Sequence, residues 1–253
     1  MREKSKYLRA FLVPRRRATS AELIQKNKMD NMHIAKINPD FNRHELIRLL
    51  GGGKSHRPSH SVQIKIEKLE VKLKEFINPL FSYRTGKIES INNGSVHIQE
   101  GPSFKSPKLS KTLNNCGKII CFIATIGDSI EKEIVRLTNE NRLSDAYILD
   151  SMGSVAVENM VEQFYQGMKA QHKTEGKEIT LRFSPGYCDW PVADQKKLFS
   201  LFDSVPTGVK LMDSCLMLPR KSISGIFGVL PSNMPAYNPC SECNNINCVD
   251  RRE

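Results

Sequence analysis

Lys118-Ile119-Ile120-Cys121-Phe122-Ile123-Ala124-Thr125-Ile126 is a nearly continuous apolar run, and it predicts a central strand. Gly127 ends it, and Asp128 stands where a helix cap is needed for the residues that follow, with Ile130, Ile134, Val135 and Leu137 at helical spacing. A longer helix is expected over residues 143 to about 169. Its buried stripe would hold Ala146, Leu149, Met152, Gly153, Ala156, Val157, Met160, Val161 and Phe164, and the small Gly153, Ser154 and Ala156 suggest close packing against another element. Glu158 and Glu162 lie one turn apart on this helix. Paired carboxylates can do acid–base work, although a solvated helix face is the simpler reading.

Downstream, a strand over residues 177–182 delivers Arg182-Phe183-Ser184-Pro185-Gly186-Tyr187-Cys188-Asp189-Trp190. Pro185 fixes its own φ and biases Ser184 toward an extended backbone, while Gly186 lets a ligand approach the main chain. Arg182 offers a planar fork of donors, and Tyr187 and Trp190 offer π faces. The alternative is a tight turn whose aromatics cap a core edge. A helix over residues 192–202 and strands over 209–218 and 222–229 follow.

Upstream, residues 61–80 mix strand-like and helical spacing. Their length and their Lys and Glu content favour a helix ended near Pro79. Strands over 81–88 and 95–99 would turn at Asn92-Asn93-Gly94, and residues 109–113 form a helical turn. Residues 41–50 give a short helix stopped by Gly51-Gly52-Gly53. Those glycines follow a helix instead of leading into one, which is wrong for a phosphate cradle. The order is mixed, with hairpin-like strand pairs. It indicates an α+β fold, a mixed and largely antiparallel sheet with packed helices.

The chain has 253 residues, 39% of them hydrophobic, enough to bury a substantial core. No stretch has the length of a membrane span, and the start lacks a secretory apolar run, so no membrane role and a cytoplasmic location are expected. The net charge of +11 is concentrated in residues 1–60, where 14 Lys and Arg face 5 Asp and Glu. The rest of the chain is near neutral. A basic arm with Arg15-Arg16-Arg17 can touch nucleic acid, but no zinc-finger spacing or aromatic-rich strand motif sharpens that reading.

Three of the seven cysteines, Cys240, Cys243 and Cys248, fall in the last fourteen residues. Thiolates at this spacing can turn around one metal, as zinc or as part of an iron–sulfur cluster, with a fourth ligand from Cys188, Cys215, a histidine or a partner, or with the fourth position left open on a four-iron cluster. A reduced, idle tail or a redox thiol pair is the alternative.

Taken together, several segments resemble the activation domain of cobalamin-dependent methionine synthase, which binds S-adenosylmethionine. Arg182-Phe183-Ser184-Pro185-Gly186-Tyr187 matches that family's Arg-x-x-Pro-Gly-Tyr signature. Phe122-Ile123-Ala124-Thr125-Ile126-Gly127, Leu149-Asp150-Ser151-Met152-Gly153-Ser154-Val155-Ala156, and Met217-Leu218-Pro219 with Ser222-Ile223-Ser224-Gly225 match further segments. The resemblance implies that Arg182, Ser184, Gly186, Tyr187 and Tyr237 contact S-adenosylmethionine. It also implies reductive methylation of cob(II)alamin on a partner, a corrinoid-binding methionine synthase or related methyltransferase in methionine biosynthesis, with an electron donor. The domain would span residues 41–237, after a basic, partly ordered extension (1–40) and before a cysteine tail (238–253). The chain then looks like a free-standing activating subunit of the partner's methyltransferase activity, with no catalytic residue of its own assigned. The alternative is an iron–sulfur or zinc-bearing redox or interaction protein acting through Cys240, Cys243 and Cys248.

Overall fold

The computed structural model describes residues 24–26, 32–35, 37, 42–51, 58–203, 206–238 and 240–244. The chain runs through β1 (Ile24–Lys26), β2 (Met32–Ala35), α1 (Arg43–Leu49), α2 (His60–Phe76), β3 (Leu80–Asn92), β4 (Ser95–Ile98), β5 (Ser103–Lys105), α3 (Pro107–Leu113) and β6 (Lys118–Thr125). Then come α4 (Ser129–Asn139), α5 (Leu143–Thr174), β7 (Lys177–Ile179), a 3-10 turn (Val192–Asp194) leading into α6 (Gln195–Ser200), β8 (Lys210–Leu211), β9 (Met217–Leu218) and β10 (Ser222–Pro231).

The apolar run that predicted a central strand is β6, flanked by β3 and β10 in the sheet order β1-β2-β3-β6-β10-β7. Its residues alternate between two cores. Ile120, Phe122 and Ala124 face one, and Ile119, Cys121 and Ile123 face the other, so polar side chains are confined to the strand's two ends, Lys118 and Thr125. Every pairing among the described strands is antiparallel. The fold is α+β, as expected.

On one face lie α1, α2, α4 and α5, sealed by aromatic contacts such as Phe81 on Phe164, 4.2 Å between ring centres, and Tyr165 edge-on to Phe227 at 5.5 Å. A Cβ on Gly153 would lie 2.9 Å from the Ile130 side chain, so the missing side chain lets α5 approach α4. On the other face a smaller core gathers Val96, Phe104, Leu109, Ile226, Trp190 and Leu198 beneath β4, β5, α3 and α6.

Local chemistry explains the boundaries. Asn93 and Gly94 both have positive φ, 48° and 73°, as a two-residue hairpin turn requires. Ser106 caps α3 by accepting a hydrogen bond from Leu109 N at 3.0 Å. Asp128 precedes α4, but its carboxylate makes no capping bond. It pairs instead with Lys132 at 2.7 Å, correcting the capping role read from the sequence.

Three other expectations change. The strand over 177–182 shrinks to β7, because at Thr180 only half the ladder pairing remains: Thr180 N donates to Gly228 O at 2.9 Å, but the Gly228 N–H goes to the Thr180 hydroxyl, also at 2.9 Å, and not to its carbonyl. The strand over 209–218 is a hairpin, β8 on β9, broken by the turn at Cys215 (φ 66°). Finally, β1 and β2 lie within residues 1–40, which the sequence left without elements, and β2 extends the sheet beyond β3. No helix among the described residues is long and apolar enough to cross a membrane.

Candidate functional site

A cleft of about 870 Å³ opens where the middle of α5, the start of β10 and the loop after β7 meet. One wall is a single stripe of α5, Ser154, Glu158 and Glu162, four residues apart and therefore on one helix face. Arg182, Phe183, Ser184, Pro185, Tyr187 and Cys188 form the opposite wall, and Ser222, Ile223 and Ser224 the floor. Asn42, Glu45, Arg48 and Leu49 at α1 supply an outer rim, and Cys240 and Cys243 of the tail another.

The loop is held to the sheet by a single antiparallel bridge. Phe183 N donates to Ile226 O and Ile226 N to Phe183 O, both at 2.8 Å. Gly225 makes that approach possible, since a Cβ there would lie 2.8 Å from the Phe183 carbonyl and 2.9 Å from Ser184 Oγ. This gives a physical reason for Gly after the Ser-x-Ser segment. Beyond the bridge the chain turns tightly, with Tyr187 N donating to Ser184 O at 3.2 Å and Gly186 N to Trp190 O at 2.9 Å. Gly186 takes a φ of 94°, a conformation costly for any other residue.

Trp190 is not a ligand platform. It is 1% exposed, edge-on to Phe104, and its indole N–H donates to Asp194 at 3.0 Å, so it anchors the loop in the smaller core. Asp189 adds a second anchor at the N-terminal end of α3, accepting from the Ser106 hydroxyl and, at 3.0 Å, from Lys108 N. Between these anchors Tyr187 stays 57% exposed at the cleft. Both sequence readings of this stretch therefore apply to different residues of it: Trp190 caps a core edge, and Tyr187 faces the opening.

Arg182 is the main cation of the inner wall. Its side chain is 14% exposed and donates to Glu158 at 2.7 Å, while the Glu158 side chain is 51% exposed. Arg182 Nε is buried with no hydrogen-bond partner among the described residues. Ser224 Oγ, on a residue 3% exposed in the cleft floor, is likewise unpartnered among them. Buried donors without partners are costly, and both atoms belong to residues that line the opening. Lys221 stitches the floor to α5, reaching Asp150 at 2.8 Å and Ser154 Oγ at 2.9 Å.

Of the residues named from sequence, the structure brings Arg182, Ser184, Tyr187, Cys240 and Cys243 to this one cleft. Gly186 shapes the loop without lining it. Tyr237 is not among the lining residues; its hydroxyl donates to Glu242 at 2.7 Å, and Lys111 binds Glu242 at 2.9 Å while lying 5.6 Å above the Tyr237 ring. Desolvation and the Glu242 carboxylate push the Tyr237 phenol up to about 12. Cys248 lies outside the described residues. Among those described, no three Cys, His, Asp or Glu side chains converge tightly enough to hold a metal.

Sequence reasoning passed over Glu158 and Glu162 as a solvated face, and it gave α1 no role. The signal for Glu158 was present, a carboxylate 24 residues from an arginine that a strand would carry past the same helix, but nothing in one chain's periodicity pairs them.

Comparison with known proteins agrees with this architecture. A crystal structure described as the MetH reactivation domain bound to AdoHcy is similar in fold, with a TM-score of 0.55 at 15% identity over 75% of this chain and 70% of that one. No curated protein matches the sequence. The family model for the vitamin B12 dependent methionine synthase activation domain matches residues 117–248, just over half of the chain, spanning the central strand, α5, the Arg-x-x-Pro-Gly-Tyr loop and β10. The chain belongs to the vitamin B12 dependent methionine synthase activation domain family.

Proposed function

We propose that the cleft binds S-adenosylmethionine and that the protein serves as an activating subunit, presenting this methyl donor to a cobalamin-bearing methionine synthase or related corrinoid methyltransferase. The observation that carries the reading is the facing of Arg182 and Glu158 across one cleft, with an unpartnered guanidinium N–H and an unpartnered Ser224 hydroxyl beside them. An amino-acid headgroup needs a fork of donors for its carboxylate and an anion for its ammonium, and a sulfonium is better placed near carboxylates than near cations. Arg182 supplies the first, and Glu158 and Glu162 the second. Tyr187 offers a π face at the mouth, and Ser184, in the turn that Gly186 shapes, brings its backbone within reach of polar edges. The ligand also has precedent in fold, since the similar reactivation domain carries AdoHcy.

In this reading residues 41–237 form the binding domain, preceded by the basic extension and followed by the cysteine tail, where Cys240, Cys243 and Cys248 bind zinc or an iron–sulfur cluster. The partner's cobalamin would accept the methyl group in reductive methylation, with an electron from a separate donor. This chain's residues bind and orient the sulfonium.

Thermal unfolding with and without S-adenosylmethionine tests the assignment. A ligand at 100 times its Kd stabilises the folded state by about 2.7 kcal/mol, so a clear rise in Tm is expected and Arg182→Ala should remove it. An unchanged Tm at millimolar ligand would overturn it.

A further inference from the structure

The cleft turns the edge of the sheet, and its two sides differ in chemistry. Ile223 of β10 packs toward the larger core and Ile226 toward the smaller one, so alternation along the strand puts the Ser224 side chain on the smaller-core face. Arg182 and Phe183 divide in the same way. Arg182 reaches Glu158 on α5, and Phe183 joins the smaller core. Gln195, at the start of α6 on that smaller-core side, also lines the cleft, although it is only 4% exposed. The helix side of the opening is thus charged, while Ser224 and Gln195 offer buried, uncharged donors and acceptors.

The strand edge itself is open here. In the bridge to Phe183, the N–H and C=O of Ile226 point away from β6, and the two-residue period of a strand sends those of Ser224 the same way, toward the loop and the cleft. Continuing that bridge by two residues would set Pro185 opposite Ser224, and a proline has no N–H to give to the Ser224 carbonyl. β7 pairs with β10 only over residues 229–231, so no described strand covers the edge at Ser224. The Ser224 hydroxyl, on a residue 3% exposed, is also without a partner among the described residues. One residue therefore presents a fixed main-chain donor, a fixed main-chain acceptor and a hydroxyl to the same opening. Burying such groups unmet is costly, and a ligand that meets them removes the cost.

We propose that this edge reads the adenine of S-adenosylmethionine: the Ser224 carbonyl accepts from the 6-amino group, the Ser224 N–H donates to a ring nitrogen, and the Ser224 hydroxyl and Gln195 amide complete the contacts around the base. Adenine carries a donor beside an acceptor on one flat, uncharged edge, the complement of a strand residue's outward N–H and C=O. The assignment rests on S-adenosylmethionine being the ligand of the cleft, and it adds the orientation. The amino-acid end lies between Arg182 and Glu158, and the base lies at the sheet edge. Pro185 gains a role as well, since it keeps the ladder from closing over Ser224.

Calorimetric titration of the full chain tests this without a variant. S-inosylmethionine has a 6-oxo group and a protonated N1 where adenine has an amino group and a bare nitrogen. It should bind at least about tenfold more weakly than S-adenosylmethionine, because a site built around one hydrogen-bond pattern rejects its reversal. 5′-Methylthioadenosine keeps the base and drops the charged headgroup. It should bind Arg182→Ala as tightly as the unmodified chain, and Gln195→Leu and Ser224→Ala at least about tenfold more weakly. Ser224→Ala should also leave the ligand-free Tm unchanged or raised, since it removes an unpaired buried hydroxyl. Equal affinity for the two purine forms, unchanged 5′-methylthioadenosine affinity in both variants, or a lowered ligand-free Tm in Ser224→Ala, the mark of a merely structural serine, overturns the proposal while S-adenosylmethionine binding stands. No binding of S-adenosylmethionine overturns both readings.

Discussion

The two faces of the sheet are closed by different means. On one, a 32-residue helix lays Leu149, Met152, Ala156, Met160 and Phe164 across β3, β6 and β10, and apolar area does most of the closing. On the other, a short helix, a small meander and a loop pinned at Trp190 and Asp189 do the same work with far less surface, helped by specific hydrogen bonds. The cleft lies on the seam between these two constructions. A face closed by area gives a rigid reference, and a face closed by a few anchors lets a loop be shaped around a ligand. The site takes its carboxylates from the first and its guanidinium, aromatic and thiol from the second.

Truncating the area-closed face should have the largest effect. Phe164→Ala removes a ring in contact with Phe81, Tyr83, Phe122 and Phe227, and is expected to cost about 3–5 kcal/mol in denaturant unfolding. Ligand affinity per folded molecule should change little. Gly225→Ala strikes the seam: its methyl group meets the Phe183 carbonyl, so a loss of about 2 kcal/mol is expected together with a weakened S-adenosylmethionine Tm shift. If stability falls and the shift survives, the bridge at Phe183 is not what shapes the site. Trp190→Phe keeps the apolar ring but removes the donor to Asp194, and should cost about 1.5 kcal/mol. Here the loss in ligand response should exceed what the stability change alone predicts. The smallest effect belongs to Glu242→Gln, which breaks an exposed contact with Lys111 and Tyr237. It should leave Tm unchanged and lower the Tyr237 phenol pKa in a spectrophotometric titration, because the neighbouring carboxylate raises it.

Much of the area-closed face was legible in the sequence. A buried strand has no alternation to hide, so β6 stood out, and the helical spacing from Ala146 to Phe164 located the heart of α5. The Asn-Gly turn and the small Gly153 were equally readable, because each answers a local steric demand. The anchored face was harder. Trp190 as ligand platform or as core residue depends on Phe104, 86 residues earlier, and Asp189 reaches back to α3 in the same way. Thr180 ended a strand through a side-chain bond to a distant glycine. The ligand-facing role of Glu158 depends on an arginine that only the fold brings near. Tyr237 was placed by counting residues from Gly225, and its hydroxyl donates to Glu242 of the tail, a partner that no spacing announces.

The length of α5 has a further consequence. At about 1.5 Å per residue the helix is a rod of about 48 Å, yet the carboxylates of the cleft occupy barely more than one turn near its middle. Both ends can lengthen, shorten or fray without disturbing Glu158 and Glu162. One residue inserted inside the rod would turn everything beyond it by about 100°, swinging Glu162 away from Arg182 and Met168 out of the core in the same stroke. Core and cleft are thus geared to a single shaft, and change in this protein is free at the rod's ends and locked at its centre.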